Sequence, residues 1–145
     1  DMLLASWVIL LKMFQQLSKS SRLTKYVNRK EPTMKTIIAG SRDYNDINLV
    51  LQAISQIDWR ITEVVCGEGR GVDQLGKQWA DDNGIPVTSF PPNWKLGRGA
   101  GPVRNQQMAD YADALIAIPS PTSKGTQDMI KRASAEGLRI FILKT

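Results

Sequence analysis

From Lys35 onward the chain alternates short apolar runs with longer amphipathic ones. Lys35 to Ala39 (KTIIA) is a β-branched apolar run closed by Gly40, the signature of a buried parallel strand. Ile47, Val50, Leu51, Ile54 and Ile57 then recur at three- and four-residue steps, which predicts an amphipathic helix capped by Asn45 or Asp46. Thr62 to Cys66 (TEVVC) is the second strand and ends at Gly67. A second helix is expected from about Val72 to Asp82, with Leu75 and Trp79 on one face and Asn83-Gly84 as its stop. Pro86 to Phe90 is a short third strand. A glycine-rich loop follows, and Pro102 opens a third helix. Ala114 to Ile118 (ALIAI) is the fourth strand, Thr126 to Glu136 the fourth helix, and Arg139 to Leu143 (RIFIL) the last strand.

Strict alternation of this kind predicts a Rossmann-like α/β sandwich of three layers, because each right-handed crossover between parallel strands needs a helix. The expected strand order is 3-2-1-4-5. That order opens a crevice at the strand C-termini between the first and fourth strands.

The domain is expected to span residues 34–145, starting at Met34. Residues 1–33 read as an appendage. Residues 2–13 (MLLASWVILLKM) are nearly all apolar but fall short of the roughly 20 residues that span a bilayer. A signal-peptide core and an amphipathic surface helix both remain open for them. Ser18 to Thr33 is polar and basic and reads as a linker.

Charge follows the same division. The net charge is +5, but residues 1–33 supply +4 of it. Residues 34–145 hold 13 basic and 12 acidic side chains, so the domain does not call for a nucleic-acid partner. One cysteine, Cys66, and no histidine exclude an intramolecular disulfide, the usual zinc sites and any Ser-His or Cys-His pair. No metal or cofactor is expected, although a hard ion held by carboxylates is compatible with the composition.

The chemistry is expected in the loops after the strands. Gly40-Ser41-Arg42-Asp43 follows the first, Gly67-Glu68-Gly69-Arg70-Gly71-Val72-Asp73 the second, and Ser120 to Thr126 the fourth. All three face one edge, and the last two feed helix N-termini, where free N–H groups favour an anion. Gly40, Gly67, Gly69, Gly71 and Gly125 let the backbone approach a ligand; Ser41, Ser123 and Thr126 add hydroxyls, and Arg42 adds charge. Asp73 also reads as a residue capping its helix. The segment from Asn93 to Asn105 is glycine-rich and cationic, with Lys95, Arg98 and Arg104. It reads either as a flexible loop closing over a phosphate or as a solvated connector. Trp94 reads as a base-stacking residue or a core anchor.

These loops, with Ala100-Gly101-Pro102-Val103-Arg104-Asn105, Asp113-Ala114 and Lys124-Gly125-Thr126-Gln127-Asp128-Met129, resemble the DUF2493 proteins, the YspA-like, cpYpsA-related branch of the SLOG superfamily. The resemblance covers about residues 35–145. It implies a Rossmann-like fold and a nucleotide-derived small-molecule ligand, bound by the loop residues above together with Lys95, Arg104 and Asn105. It also extends distantly to the LOG phosphoribohydrolases, which cleave the N-glycosidic bond of nucleoside monophosphates and are commonly dimers. Their motifs are an Arg-bearing helix, matched by Arg104, and Pro-Gly-Gly-x-Gly-Thr-x-x-Glu, of which Gly125-Thr126 keeps the Gly-Thr. Met129 stands where the catalytic Glu belongs, and Asp128 lies one place early. Adjacent helix positions are turned by about 100°, so Asp128 does not simply inherit that role.

Two functions follow. One is a ligand-binding module, a sensor of a nucleotide signal in bacterial or phage conflict. The other is a phosphoribohydrolase-like enzyme using Arg104 and a carboxylate, Asp128, Asp73 or Glu68. A cytoplasmic protein without membrane attachment is expected, and homodimerisation is left open.

Overall fold

Five strands form one parallel sheet in the order β3-β2-β1-β4-β5. They are β1 (Lys35–Gly40), β2 (Glu63–Cys66), β3 (Val87–Ser89), β4 (Ala114–Ile118) and β5 (Arg139–Ile142). Four helices connect them: α1 (Ile47–Gln56), α2 (Val72–Asp82), α3 (Ala100–Tyr111) and α4 (Lys124–Ala135), with a 3-10 segment, Trp94–Gly99, ahead of α3. This computed structural model describes residues 8–10, 12 and 32–145. The chain divides into two units, Asp1–Pro32 and Thr33–Thr145, and the second holds the sheet. In the first, residues 8–10 and 12 are helical. The rest of the expected apolar helix, and most of the expected linker, lie outside the described residues.

The central strands are covered on both faces. β4 is buried at every position, and β1 is buried from Thr36 to Ala39. Successive side chains in a strand point to opposite faces. Ile37, Ala39, Val65, Leu115 and Ala117 therefore pack against Met108 and Ala109 of α3 and Met129 and Ala133 of α4. Ile38, Val64, Ile116 and Ile118 pack against Val50 and Ala53 of α1 and Val72 and Ala80 of α2. The β1–β4 register pairs Thr36 with Ala114 and Gly40 with Ile118, so both strands end at one level.

Several boundaries differ from those the sequence suggested. Asp46 is the residue that caps α1, its carboxylate accepting from the Asn48 N–H at 3.0 Å. β3 shrinks to three residues, although the Phe90 N–H still donates to the Cys66 carbonyl at 2.8 Å. The expected loop before Pro102 is mostly helical. Asn93 caps the 3-10 segment by accepting from the Lys95 N–H at 3.2 Å. Pro102 lies in the first turn of α3 instead of opening it, and its missing N–H costs little there because first-turn amides have no intrahelical partner. α4 begins at Lys124, two residues earlier than its apolar spacing indicates.

Candidate functional site

The three loops after β1, β2 and β4 meet over the β1–β4 junction and enclose a cavity of about 290 Å³. The meeting depends on close backbone approaches. At Gly40 a Cβ would collide with the Ile118 carbonyl and with Val72. Gly71 has φ of 76° and lies against the Ser41 carbonyl, a position closed to other residues by conformation and by space. The Ser41 N–H donates to the Ile118 carbonyl at 3.0 Å, and the Val72 N–H donates to the Ser41 carbonyl at 3.1 Å. The first loop is thus pinned to the end of β4 and the start of α2. Ser41 is buried, and its hydroxyl accepts from the Asp43 N–H at 3.1 Å.

The β2 loop is organised by Asp73. Its Oδ2 accepts from the Gly69 N–H at 3.0 Å, and a Cβ at Gly69 would come within 2.9 Å of that oxygen. Asp73 is therefore a loop organiser facing the cavity; the cap position of α2 is Gly71. Burial pushes the Asp73 carboxyl above its ordinary range, more than the Gly69 amide and the neighbouring Arg104 and Arg42 charges pull it down. Arg104 reaches across from α3, donating from Nη1 to the Gly67 carbonyl and from Nε to Asn105 Oδ1 at 3.0 Å. Burial also lowers the Arg104 pKa, against the attraction of Asp73; a guanidinium so placed remains charged.

The β4 loop presents the N-terminus of α4. The Ser120 N–H donates to Ser123 Oγ at 2.9 Å, and the two serine hydroxyls are 2.7 Å apart. No side chain caps α4. Its first-turn amides, at Gly125 and Thr126, therefore line the cavity with no intrahelical acceptor. Four cations line the space, Arg42, Arg70, Arg104 and Lys124, against two carboxylates, Asp43 and Asp73. Arg70 and Asp43 are 3.9 Å apart and largely exposed, so they screen one another weakly at the mouth. The floor is apolar: Ala39, Met108 and Met129. The result is a concave, positively biased pocket with an uncapped helix start, suited to an anion.

The structure brings Gly40, Ser41, Arg42, Gly69, Asp73, Arg104, Asn105, Ser123, Gly125 and Thr126 to this cavity. Gly67 and Gly71 do not line it but shape its wall. Gly67 leaves the room that Arg104 and Asp73 fill.

Three expectations are corrected. Lys95 does not line the cavity; it lies exposed on the 3-10 segment. Asp128 does not line it either, because its carboxylate is taken by Arg132 Nε and Asn105 Nδ2, each at 2.9 Å. Trp94 is 67% exposed and anchors no core. Glu68 is also committed elsewhere, accepting from Ser89 Oγ at 2.6 Å and Lys77 Nζ at 3.0 Å. These partners hold its pKa down at about 2, with the Ser89 hydroxyl contributing most.

Arg70, Lys124, Ser120 and Thr122 join the lining from loops the sequence had already marked. Ala39, Met108 and Met129 also line it, although none was among the expected binding residues. Met108 lies four residues after Arg104 and Met129 three after Thr126, so helical spacing puts each below a polar lining residue. Among the described residues, no group of three or more acidic, cysteine or histidine side chains could hold a metal ion.

A solved structure with similar architecture is that of DNA processing protein A (DprA) from Streptococcus pneumoniae. It aligns with a TM-score of 0.63 at 18% identity, over 76% of this chain and 50% of that one. This chain thus spans about half the length of that protein, and the likeness shows the Rossmann-like fold. A search of curated proteins found no match. A family model described as YspA, cpYpsA-related SLOG family matches residues 34–97, which run from the start of β1 through the β2 loop into the 3-10 segment. Over those residues the chain is similar to the YspA, cpYpsA-related SLOG family.

Proposed function

We propose that the chain binds a nucleotide or nucleotide-derived ligand with its phosphate in the β1–β4 cavity, acting as a ligand-binding module that senses a nucleotide signal. The similarity to that family suggests a nucleotide-related ligand-binding or glycosidase-like role. The observation that carries the finer reading is the joint lining by Arg42, Arg104, Lys124 and the uncapped start of α4. Main-chain amides at a helix start and a planar guanidinium are what a phosphate's oxygens need. The volume lies near the small end of the roughly 300–1000 Å³ typical of small-molecule sites. It suits a phosphate and its sugar, with the base at the mouth. In this reading the partner is a small molecule, not nucleic acid, and the protein works in the cytoplasm; no described helix is long and apolar enough to cross a membrane.

The test is native mass spectrometry and thermal shift against nucleoside monophosphates, diphosphates, cyclic nucleotides and ADP-ribose-like compounds. Wild type should bind at least one class, and R104A should weaken that binding by roughly 100-fold, the loss of a charge-assisted contact. Equal binding by both proteins refutes the reading.

A second reading is favoured by Asp73, a cavity carboxyl whose pKa burial raises. In a phosphoribohydrolase-like reaction, water adds to the sugar's anomeric carbon as the C–N bond breaks, and the base leaves with a proton. Asp73 would steady the oxocarbenium-like centre while Arg104 holds the phosphate. Release of free base from a nucleoside monophosphate, abolished in D73N, would establish it. Binding without release rejects it for the compounds tried.

A further inference from the structure

Asp128 lies outside the cavity, yet its carboxylate ends a chain of hydrogen bonds that begins inside it. Arg132 Nε and Asn105 Nδ2 both donate to Asp128 Oδ2, each at 2.9 Å. Asn105 is 5% exposed, and the same amide nitrogen donates to the Gly125 carbonyl at 3.3 Å. On its other side, Asn105 Oδ1 accepts from Arg104 Nε at 3.0 Å. A side-chain amide fits a pocket either way round unless its neighbours decide. Here two acceptors flank one end and a donor the other, so the amide has one satisfied orientation.

Asp128 enforces that orientation by offering Asn105 Nδ2 an oxygen acceptor. Burial works against ionisation, but the hydrogen bonds from Arg132 and Asn105 outweigh it and keep the carboxyl below its usual range. Arg132 is itself steered by a second bond, from Nη1 to Gln106 Oε1 at 3.2 Å. The Asp128–Arg132 pair alone is partly exposed and contributes little to the fold.

We propose that Asp128 is a positioning residue for the phosphate grip: through Asn105 it fixes the Arg104 guanidinium. The inference rests on the reading of the cavity as a phosphate site. It gives the aspartate one place before Met129 a role that needs no contact with the ligand.

The test compares wild type, D128A, D128N, R104A and D128A/R104A in two measurements. The first needs no ligand: solvent exchange of the Arg104 Nε–H, followed by NMR. The proton should be protected in wild type and D128N, where an acceptor survives, and should exchange at least about tenfold faster in D128A. The second is calorimetric binding of AMP as the probe. D128A should weaken binding about tenfold, D128N should restore most of it, and D128A should add nothing in the R104A background, because a residue acting through another has no effect once that one is gone. Equal losses in both backgrounds, or wild-type exchange and affinity in D128A, overturn the proposal. Should D128A fail to fold, N105S takes its place in the same cycle. Faster exchange in D128A with no AMP binding by wild type keeps the positioning inference and counts against the phosphate reading instead.

Discussion

Gly67 separates the stability of this domain from its grip on a ligand. A Cβ there would come within 2.8 Å of Arg104 Nη1, 3.1 Å of Arg104 Cζ and 3.1 Å of Asp73 Oδ2. The first two are the far end of a flexible side chain, which can withdraw. Gly67 is not among the positive-φ residues, so alanine meets no backbone strain. G67A should therefore push the guanidinium off the Gly67 carbonyl. That loses a charge-assisted hydrogen bond worth about 1.5–3 kcal/mol. Alanine returns about 0.4–1 kcal/mol by restricting the unfolded chain, so the net destabilisation is about 0.5–2.5 kcal/mol. Binding should suffer more directly, because the displaced guanidinium no longer faces the phosphate. A loss of about 1.5–3 kcal/mol in binding corresponds to roughly 10- to 150-fold. Urea unfolding and calorimetric titration with the best-bound nucleotide measure the two effects. An unaltered affinity in a folded G67A protein would refute the assignment of Arg104 to the phosphate.

G71A should behave in the opposite way. Its positive φ and the adjacent Ser41 carbonyl make the cost one of folding, at least about 2 kcal/mol in urea unfolding. D73N should become more stable relative to wild type as pH rises. A carboxyl whose folded pKa lies above its ordinary 3.8 loses stability once pH passes that value, and asparagine lacks the proton to lose; unfolding midpoints from pH 3 upward read the crossing. E68Q should flatten the acid limb. The Glu68 contribution is complete above about 4.5 and disappears as pH falls toward about 2, so wild type should lose stability over that window and the variant should not. A chain beginning at Thr33 should keep the domain's unfolding free energy within about 0.5 kcal/mol, since Met34 already pairs its N–H with Thr62 Oγ1 at 2.8 Å and its carbonyl with the Thr62 N–H at 3.2 Å.

Periodicity carried most of the fold. The apolar runs at 35–39 and 114–118 are strands buried on both faces, and alternation with amphipathic helices leaves few sheet orders. The cavity loops were legible because turn chemistry is local: glycines next to strand ends, hydroxyls next to a helix start. The stretch from Trp94 to Gly99 was not. Its glycines match a loop in composition, and only the Asn93 cap and the kink at Gly97 (φ 62°) show how it folds. Side-chain direction was the other blind spot. The helical phase of Asp128 showed that it does not simply inherit the missing glutamate's role, but its partners, Asn105 on α3 and Arg132, are fixed by packing between helices. Asp73 showed the converse. A first-turn acid reads as a cap, yet its carboxylate turns back to the Gly69 amide because Gly67 and Gly69 leave room for it.

The most direct measurement is residue-resolved: amide chemical shifts of the 15N-labelled protein during titration with a nucleoside monophosphate. An anion held by the start of α4 and the end of β1 should shift Gly125, Thr126, Gly40 and Ser41 most, with saturation, while α1 stays still. Saturable binding that leaves those four amides unmoved and shifts another face of the domain would contradict the account.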